Sequence, residues 1–428
     1  MMMKKMLKPG IRVKRYIFLA LASIITMAVA IAKLIDERHL TTIHDKAVFI
    51  ILIIFSGLVG YKSIVWCVKS VVSLVNKGYI NLSIEEDDLE DLIEDDRLLI
   101  KGPKIVVIGG GTGLSTMLRG LKHYTSNVTA IVTVGDDGGG SGILREDLGM
   151  LPPGDIRNCL LALANIEPTM SEVMQYRFEE GGLKGQSFGN LFLAAMNGLY
   201  GNFETAVYKL SEIFNITGRV LPVTLESIDL IAKLNNGNII KGESKIPREV
   251  RKQRSKIEEV YLEPKDAKPL DEVINSIYEA DYIIMGPGSL YTSIIPNLLV
   301  EGVVAAIKGS KATKIYIPNV MTQPGETDGY DVINHIQAIN KHTKDNLIDY
   351  VIANNEIIPD NQFEKYKRDG ANQVLLDKEQ RITLKNMGIK VVEGDLIEVK
   401  NDYIRHHADS ICEIINNLAL SHDYDKAR

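Results

Sequence analysis

Residues 104–158 run twice from a short, β-branched apolar segment straight into a glycine-rich turn, and no other feature limits the fold as tightly. K-I-V-V-I (104–108) has the pattern of a buried strand; it opens into G-G-G-T-G (109–113) and then a helix-like run over 114–121. V-T-A-I-V-T-V (128–134) is a second such strand, followed directly by G-D-D-G-G-G-S-G (135–142), and L-P-P-G-D-I-R-N (151–158) leads into a further apolar helical run. Strands that end in glycine loops and feed helices predict an α/β fold. That fold is a Rossmann-like, mostly parallel sheet flanked by helices, with a nucleotide or phosphate site at its carboxyl edge.

Two chemistries are separable in these loops. Gly110, Gly111 and Gly113 lack a Cβ, so the backbone can turn sharply and approach a phosphate. With Thr112 they set N–H groups at a helix start, where the helix dipole favours anions. The plainer reading is a tight strand-to-helix turn without a ligand. Asp136 and Asp137 end the second strand, where a carboxylate holds ribose hydroxyls in doubly wound folds. Two adjacent acids can equally hold a divalent cation such as Mg²⁺, or form a solvated polar turn.

The N-terminal residues differ in kind. Lys4, Lys5, Lys8, Arg12, Lys14 and Arg15 precede an uncharged apolar run at 16–32. A polar break carrying Asp36, Glu37, Arg38 and Asp45 separates it from a second apolar run at 47–68, which only Lys62 interrupts; Lys69 and Lys77 follow. Such lengths with basic outer flanks predict a two-helix transmembrane hairpin over 1–78, both ends in the cytoplasm. A cleaved signal peptide for the first run, or buried helices of a soluble domain, are the competing readings. The dense acidic run at 85–96 reads as part of a linker, 79–100, to a cytoplasmic body at 101–428. A net charge of −6 gives no general pull on nucleic acid. Cys67, Cys159 and Cys412 are too few and too scattered for a disulfide framework or a zinc cluster.

Further along, G-Q-S-F-G-N (185–190) precedes a helix-like patch at 190–200, so Ser187 or Asn190 is either a helix cap or a group reaching a ligand. Residues 203–214 read as an amphipathic helix, and 219–224, 228–234 and 257–262 as strands of mixed polarity. The basic stretch between the last two, 241–256, reads as a surface arm, or as one that grips phosphate. D-Y-I-I-M (281–285) then runs into G-P-G-S-L-Y-T-S (286–293), making Gly286, Gly288 and Ser289 a second anion cradle that faces the first across the sheet's switch point. K-I-Y-I-P (314–318) runs into N-V-M-T-Q-P-G-E-T-D-G (319–329), which brings Asn319 and Gln323 to a strand's carboxyl end. A strand at 348–353, segments at 374–376 and 390–393, and a helix at 406–420 complete the sheet edge and its packing.

The motifs G-G-G-T-G-L-S, T-V-G-D-D-G-G-G-S-G, L-P-P-G-D-I-R-N, G-P-G-S-L-Y-T-S-I-I-P-N-L-L-V and N-V-M-T-Q-P-G-E-T-D-G-Y together resemble the gluconeogenesis factor family, the YvcK-like proteins. These lie in the CofD-like superfamily, whose enzyme members are 2-phospho-lactate transferases of deazaflavin cofactor synthesis. The resemblance implies a Rossmann-like body that binds a nucleotide, foremost a UDP-sugar, and a role in carbon-source use and cell shape. Gln186 departs from the His of the G-H-S-L-G-N form, and Phe188 from its Leu. The transferases' His-containing segment and later P-D-x-D-T are missing, so the resemblance does not carry the deazaflavin chemistry over. The expectation is a membrane-tethered, nucleotide-sugar-binding regulator, homo-oligomeric and serving an envelope-synthesis or regulatory protein partner, with a CofD-like transferase as the alternative. A tubulin-like GTPase loop would need glycine where Ser115 stands, and G-x-G-x-x-G fails at Leu114 or Thr116.

Overall fold

The computed structural model describes residues 13–35, 43–76, 102–166, 168–400 and 403–426, in two compact units, Met1–Asp95 and Asp96–Arg428. The predicted linker, 79–100, lies outside the described residues. In the first unit α1 (Val13–Ile35) and α2 (Ile43–Asn76) pack against each other. Small residues line their contact: Ser23, Ala30, Ser56 and Ser63 are buried, and a Cβ on Gly60 would stand 2.8 Å from the Ser23 hydroxyl. Large apolar side chains point away from it, with Ile25, Ile51, Phe55 and Tyr61 each 64–69% exposed. Small residues thus lie inside the seam and large apolar ones outside it. Of the two predicted spans, Val48–Trp66 is long and apolar enough to cross a membrane; Leu19–Lys33 is shorter.

The second unit is built on β1 (Ile105–Gly109), α3 (Gly111–Leu121) and β2 (Val128–Val132). The helices α4 (Gly139–Leu148), α5 (Gly154–Leu163), α6 (Pro168–Gln175), α7 (Phe188–Tyr200) and α8 (Phe203–Ile213) lead to β3 (Arg219–Pro222). The chain then leaves the sheet for β4 (Asp229–Leu234), β5 (Ile239–Lys241), α9 (Ile246–Gln253) and β6 (Ile257–Glu263), whose strands pair antiparallel in a sheet of their own. It returns through α10 (Asp271–Glu279) to β7 (Tyr282–Met285), and through α11 (Ile295–Leu299) and α12 (Val303–Gly309) to β8 (Thr313–Tyr316). Next come α13 (Val332–Thr343), β9 (Tyr350–Asn354), α14 (Asp360–Arg368), α15 (Lys378–Asn386) and β10 (Lys390–Gly394). A two-stranded ladder of β11 (Ile397–Lys400) and β12 (Tyr403–His406) precedes α16 (Ala408–Lys426).

The main sheet has the order β10-β9-β8-β7-β1-β2-β3, all parallel. Its central strands are apolar throughout because both faces are covered: Val107, Ile108, Ile131, Ile283 and Ile284 are fully buried. The chain builds outward from β1 to β3, then returns to β7 on the other side of β1. The order therefore reverses between β1 and β7, where open α/β sheets leave a crevice.

Four expectations change in detail. The first helix starts at Gly111 rather than 114, so the glycine loop forms its first turn. β2 stops at Val132, although the Thr133 N–H still reaches the Gly109 carbonyl at 3.1 Å. Segment 374–376 packs but adds nothing to the sheet edge; Val374 is buried and its N–H bonds the Val320 carbonyl. Finally, 241–256 is not a free surface arm. Gly242, Ile246 and Val250 are buried, because α9 presents an apolar stripe and the turn before it docks on the sheet edge.

Candidate functional site at the carboxyl edge of the sheet

The two glycine turns touch. Gly110 is extended and precedes α3, Gly111 has φ +66°, and a Cβ on Gly113 would stand 2.7 Å from the Pro287 carbonyl oxygen. A Cβ on Gly288 would lie 3.4 Å from the Gly110 oxygen. The space beside Gly110 is filled from within the protein: its Cβ would meet Asp155 Oδ2 at 2.6 Å, and that carboxylate accepts the Gly111 N–H. Only the Gly111 side is open, with Ser293 Oγ nearest at 3.9 Å. Gly286, at φ +85°, lets the chain pass β8, where a Cβ would meet the Ile317 oxygen at 2.7 Å. Asn319 Nδ2 donates to the Gly288 carbonyl (3.0 Å) and to Gln323 Oε1 (3.2 Å), and Gln323 Nε2 donates to Ser289 Oγ (2.6 Å). The tertiary structure thus gathers Gly110, Gly111, Thr112, Gly113, Gly286, Gly288, Ser289, Asn319 and Gln323 at one edge.

Beside that edge lies a cavity of about 400 Å³ lined by Thr112, Gly113, Asn319 and Gln323, and also by Arg251 of α9, Tyr366 of α14 and Arg405 of β12. Arg251 is tied only loosely, to the Asp369 carbonyl at 3.5 Å, and Arg405 lies 5.9 Å from the Tyr403 ring. Neither arginine forms an ion pair among the described residues. His406 also lines the cavity; burial holds its imidazole down to about 4, so it is neutral at physiological pH.

On the other side of β1 the acids stand apart. Asp136 Oδ1 accepts the Gly138 N–H at 2.9 Å, while Asp137 Oδ1 accepts the Ser244 N–H at 2.7 Å and presses on Gly242. One acid folds its own turn and the other holds the tip of the arm. Two further carboxyls, Asp155 and Glu243, face them, and Glu243 in turn meets Glu326. Burial pushes Asp155 up to about 6, against the opposing Gly111 N–H, and Glu326 up to about 7. Glu243 is raised well above the ordinary range by burial and by Asp155, Asp136, Glu326 and Asp137. Glu243 Oε2, Glu326 Oε2 and Thr133 Oγ1 are buried without a hydrogen-bond partner. Among the described residues no three acids, histidines or cysteines are placed to hold a metal ion. Asn190 lies on this side too, 3% exposed; Ser187 caps α7 through the Asn190 N–H, and Asn190 Oδ1 accepts from Arg157 Nη1 at 2.8 Å.

A family model described as 2-phospho-L-lactate transferase CofD matches residues 105–397. A gluconeogenesis factor of Clostridium acetobutylicum is 50% identical over 409 residues, 96% of this chain and 90% of its own. Those of Thermoanaerobacterium thermosulfurigenes and Bacillus subtilis are 60% and 46% identical, each over 74% of this chain and 98% of its own. This chain belongs to the gluconeogenesis factor family. A crystal structure of a UPF0052-family protein from Bacillus halodurans shares the fold, with a TM-score of 0.69 and 46% identity over 73% of this chain and 98% of its own. Gluconeogenesis factors are not uniform in length. The 409-residue match runs beyond the second unit of this chain, whereas 317 residues account for nearly all of the Bacillus subtilis protein.

Sequence reasoning did not select Asp155, Arg157, Glu243, Tyr366 or Arg405, and it placed Arg251 only within the basic stretch read as a surface arm or as one that grips phosphate. Asp155 and Arg157 lie inside the L-P-P-G-D-I-R-N motif, and Glu243 and Arg251 inside the basic stretch, so a local signal was present for those four. Tyr366 and Arg405 sit in a charged helix and a short edge ladder, and no pattern in their neighbourhood marks them.

Proposed function

We propose that this gluconeogenesis factor is a membrane-tethered, UDP-sugar-binding regulator of carbon metabolism and cell shape. The observation that supports it most is the cavity. Arg251 and Arg405 bring two guanidiniums, without ion pairs among the described residues, to an edge that also offers the first turn of α3 and the amides of Asn319 and Gln323. Guanidinium forks match the paired oxygens of a diphosphate, and amides that both donate and accept suit sugar hydroxyls or a base. Because Asp155 already occupies the Gly111 N–H, the diphosphate belongs on the arginine side of the turn rather than in it. The small-residue seam of the α1–α2 hairpin and its outward apolar side chains support the tether.

The matching family model supports a second reading, a CofD-like transferase. Mg²⁺ suits the donor chemistry near Gly135, where Glu243 Oε2 and Thr133 Oγ1 are buried oxygens without partners beside Asp136. With no cage of three acids there, a bound ligand's own oxygens would complete the ion's shell. The regulator reading is preferred because Asp136 and Asp137 are each engaged in holding a turn or the arm.

Calorimetric titration of the detergent-solubilised full chain with UDP-sugars tests this. Saturable binding is expected, with Arg405→Gln and Arg251→Gln weakening it by about tenfold or more at unchanged thermal stability. Unaltered affinity in both variants would remove the cavity from the reading. Turnover of a UDP-sugar, or of a guanylylated phospho-acid with a deazaflavin and Mg²⁺, that depends on Asp136 would replace the regulator by the transferase. Release from membranes by a high-salt wash would exclude the tether.

A further inference from the structure

We propose that α5 and the turn at 185–190 form a second anion site, apart from the arginine cavity, that takes one phosphoryl or carboxylate group. Arg157, in the first turns of α5, is held by neutral acceptors only: Nη1 on Ser187 Oγ and on Asn190 Oδ1 (2.8 Å), Nη2 on Asn158 Oδ1 (2.7 Å). Its Nε is buried without a partner. Its stem lies over Gly189, where a Cβ would come within 2.6 Å of Cδ, so the packing admits the arginine only beside glycine.

A second guanidinium reaches the same strip. Arg177 pairs with Ser187 through its backbone, and its Nη1 donates to the Gly185 carbonyl. Neither arginine is in an ion pair among the described residues. Asp155 attracts Arg157 electrostatically, but its carboxylate is already engaged by the Gly111 N–H. Arg157 also donates to the residue that caps the thirteen-residue α7, the positive end of that helix. Two guanidiniums at a helix N-terminus repel one another, and an oxyanion that accepts from both relieves the repulsion. Gln186, 6% exposed in the same turn, leaves Oε1 buried beside Gly140 without a hydrogen-bond partner. None of these residues lines the arginine cavity, so this site stands whether or not a UDP-sugar binds there.

The test is a titration of the full chain, in detergent and phosphate-free buffer, with inorganic phosphate at constant ionic strength, read by phosphorus NMR and thermal unfolding. Saturable binding is expected, retained when a UDP-sugar fills the cavity. With a UDP-sugar filling the arginine cavity, Arg177→Gln is expected to weaken phosphate by about tenfold or more. Arg157→Lys, which keeps the charge but loses the planar fork, is expected to weaken it as well. Arg177 is exposed and its variant should melt as the wild type does without phosphate, so it decides the matter if Arg157→Lys does not fold. The inference is overturned if phosphate does not saturate, if Arg405→Gln abolishes it while Arg177→Gln does not, or if all variants respond alike. Phosphate binding that depends on Arg177 in a chain that binds no UDP-sugar would refute the proposed function and leave this site standing.

Discussion

Glu326→Gln probes the electrostatics of the sheet edge with a change of charge at constant size. Glu326 is 8% exposed in the loop that follows β8; Oε1 accepts from the Thr292 hydroxyl at 3.5 Å and the Tyr291 N–H, and Oε2 has no partner. Burial pushes its carboxyl from 4.5 to about 7, with Asp328 adding repulsion. The folded chain therefore holds this proton more tightly than the unfolded one. The contribution to stability is complete below pH 4.5, falls as the pH rises through about 7, and stays lost above it. At about 1.4 kcal/mol per pH unit, carrying the charge costs roughly 3 kcal/mol above that range. Gln removes the charge, but its new N–H₂ finds no acceptor where Oε2 had no donor, which forfeits about 1 kcal/mol. The variant should be about 1 kcal/mol less stable than the wild type near pH 4.5 and roughly 2 kcal/mol more stable at pH 8. Urea unfolding at several pH values, followed by near-ultraviolet circular dichroism, measures the difference. The single tryptophan, Trp66, lies in α2, so its fluorescence follows the hairpin separately. A variant less stable than the wild type at pH 8, or one whose stability falls as steeply between pH 4.5 and 7, would refute the account.

Other perturbations separate contact from conformation. Gly113→Ala sets a Cβ 2.7 Å from the Pro287 carbonyl, and pushing the two turns apart should cost about 1–3 kcal/mol and weaken UDP-sugar binding. Gly111→Ala meets nothing nearer than 3.9 Å and should cost only the left-handed backbone, about 1–2 kcal/mol, in the same unfolding assay; a larger loss at Gly111 than at Gly113 would contradict this division. Asp137→Ala frees the Ser244 N–H and should speed proteolytic cleavage within 241–256; a cleavage rate equal to wild type would show that this carboxylate does not hold the arm.

Much of this protein is written locally. A run such as 104–108 becomes a strand because its β-branched residues suit a pleat buried on both faces, and G-G-G-T-G ends it because only such a turn admits φ +66° at Gly111 cheaply. Those are rules about neighbours in the chain, so the strands, the two glycine turns at carboxyl ends and the paired apolar helices are legible before any folding is considered. Periodicity, however, says nothing of partners. That β7 settles beside β1, and so brings Pro287 against Gly113, follows from packing the whole sheet under its helices. The same holds for the carboxylate of Asp155 in the space that Gly110 leaves open, for the separate duties of the adjacent Asp136 and Asp137, and for Arg251 and Arg405 facing Thr112 across one cavity. Side chains that far apart in sequence meet only because burying the core places their elements together, and that sum over the whole chain is what tertiary structure alone decides.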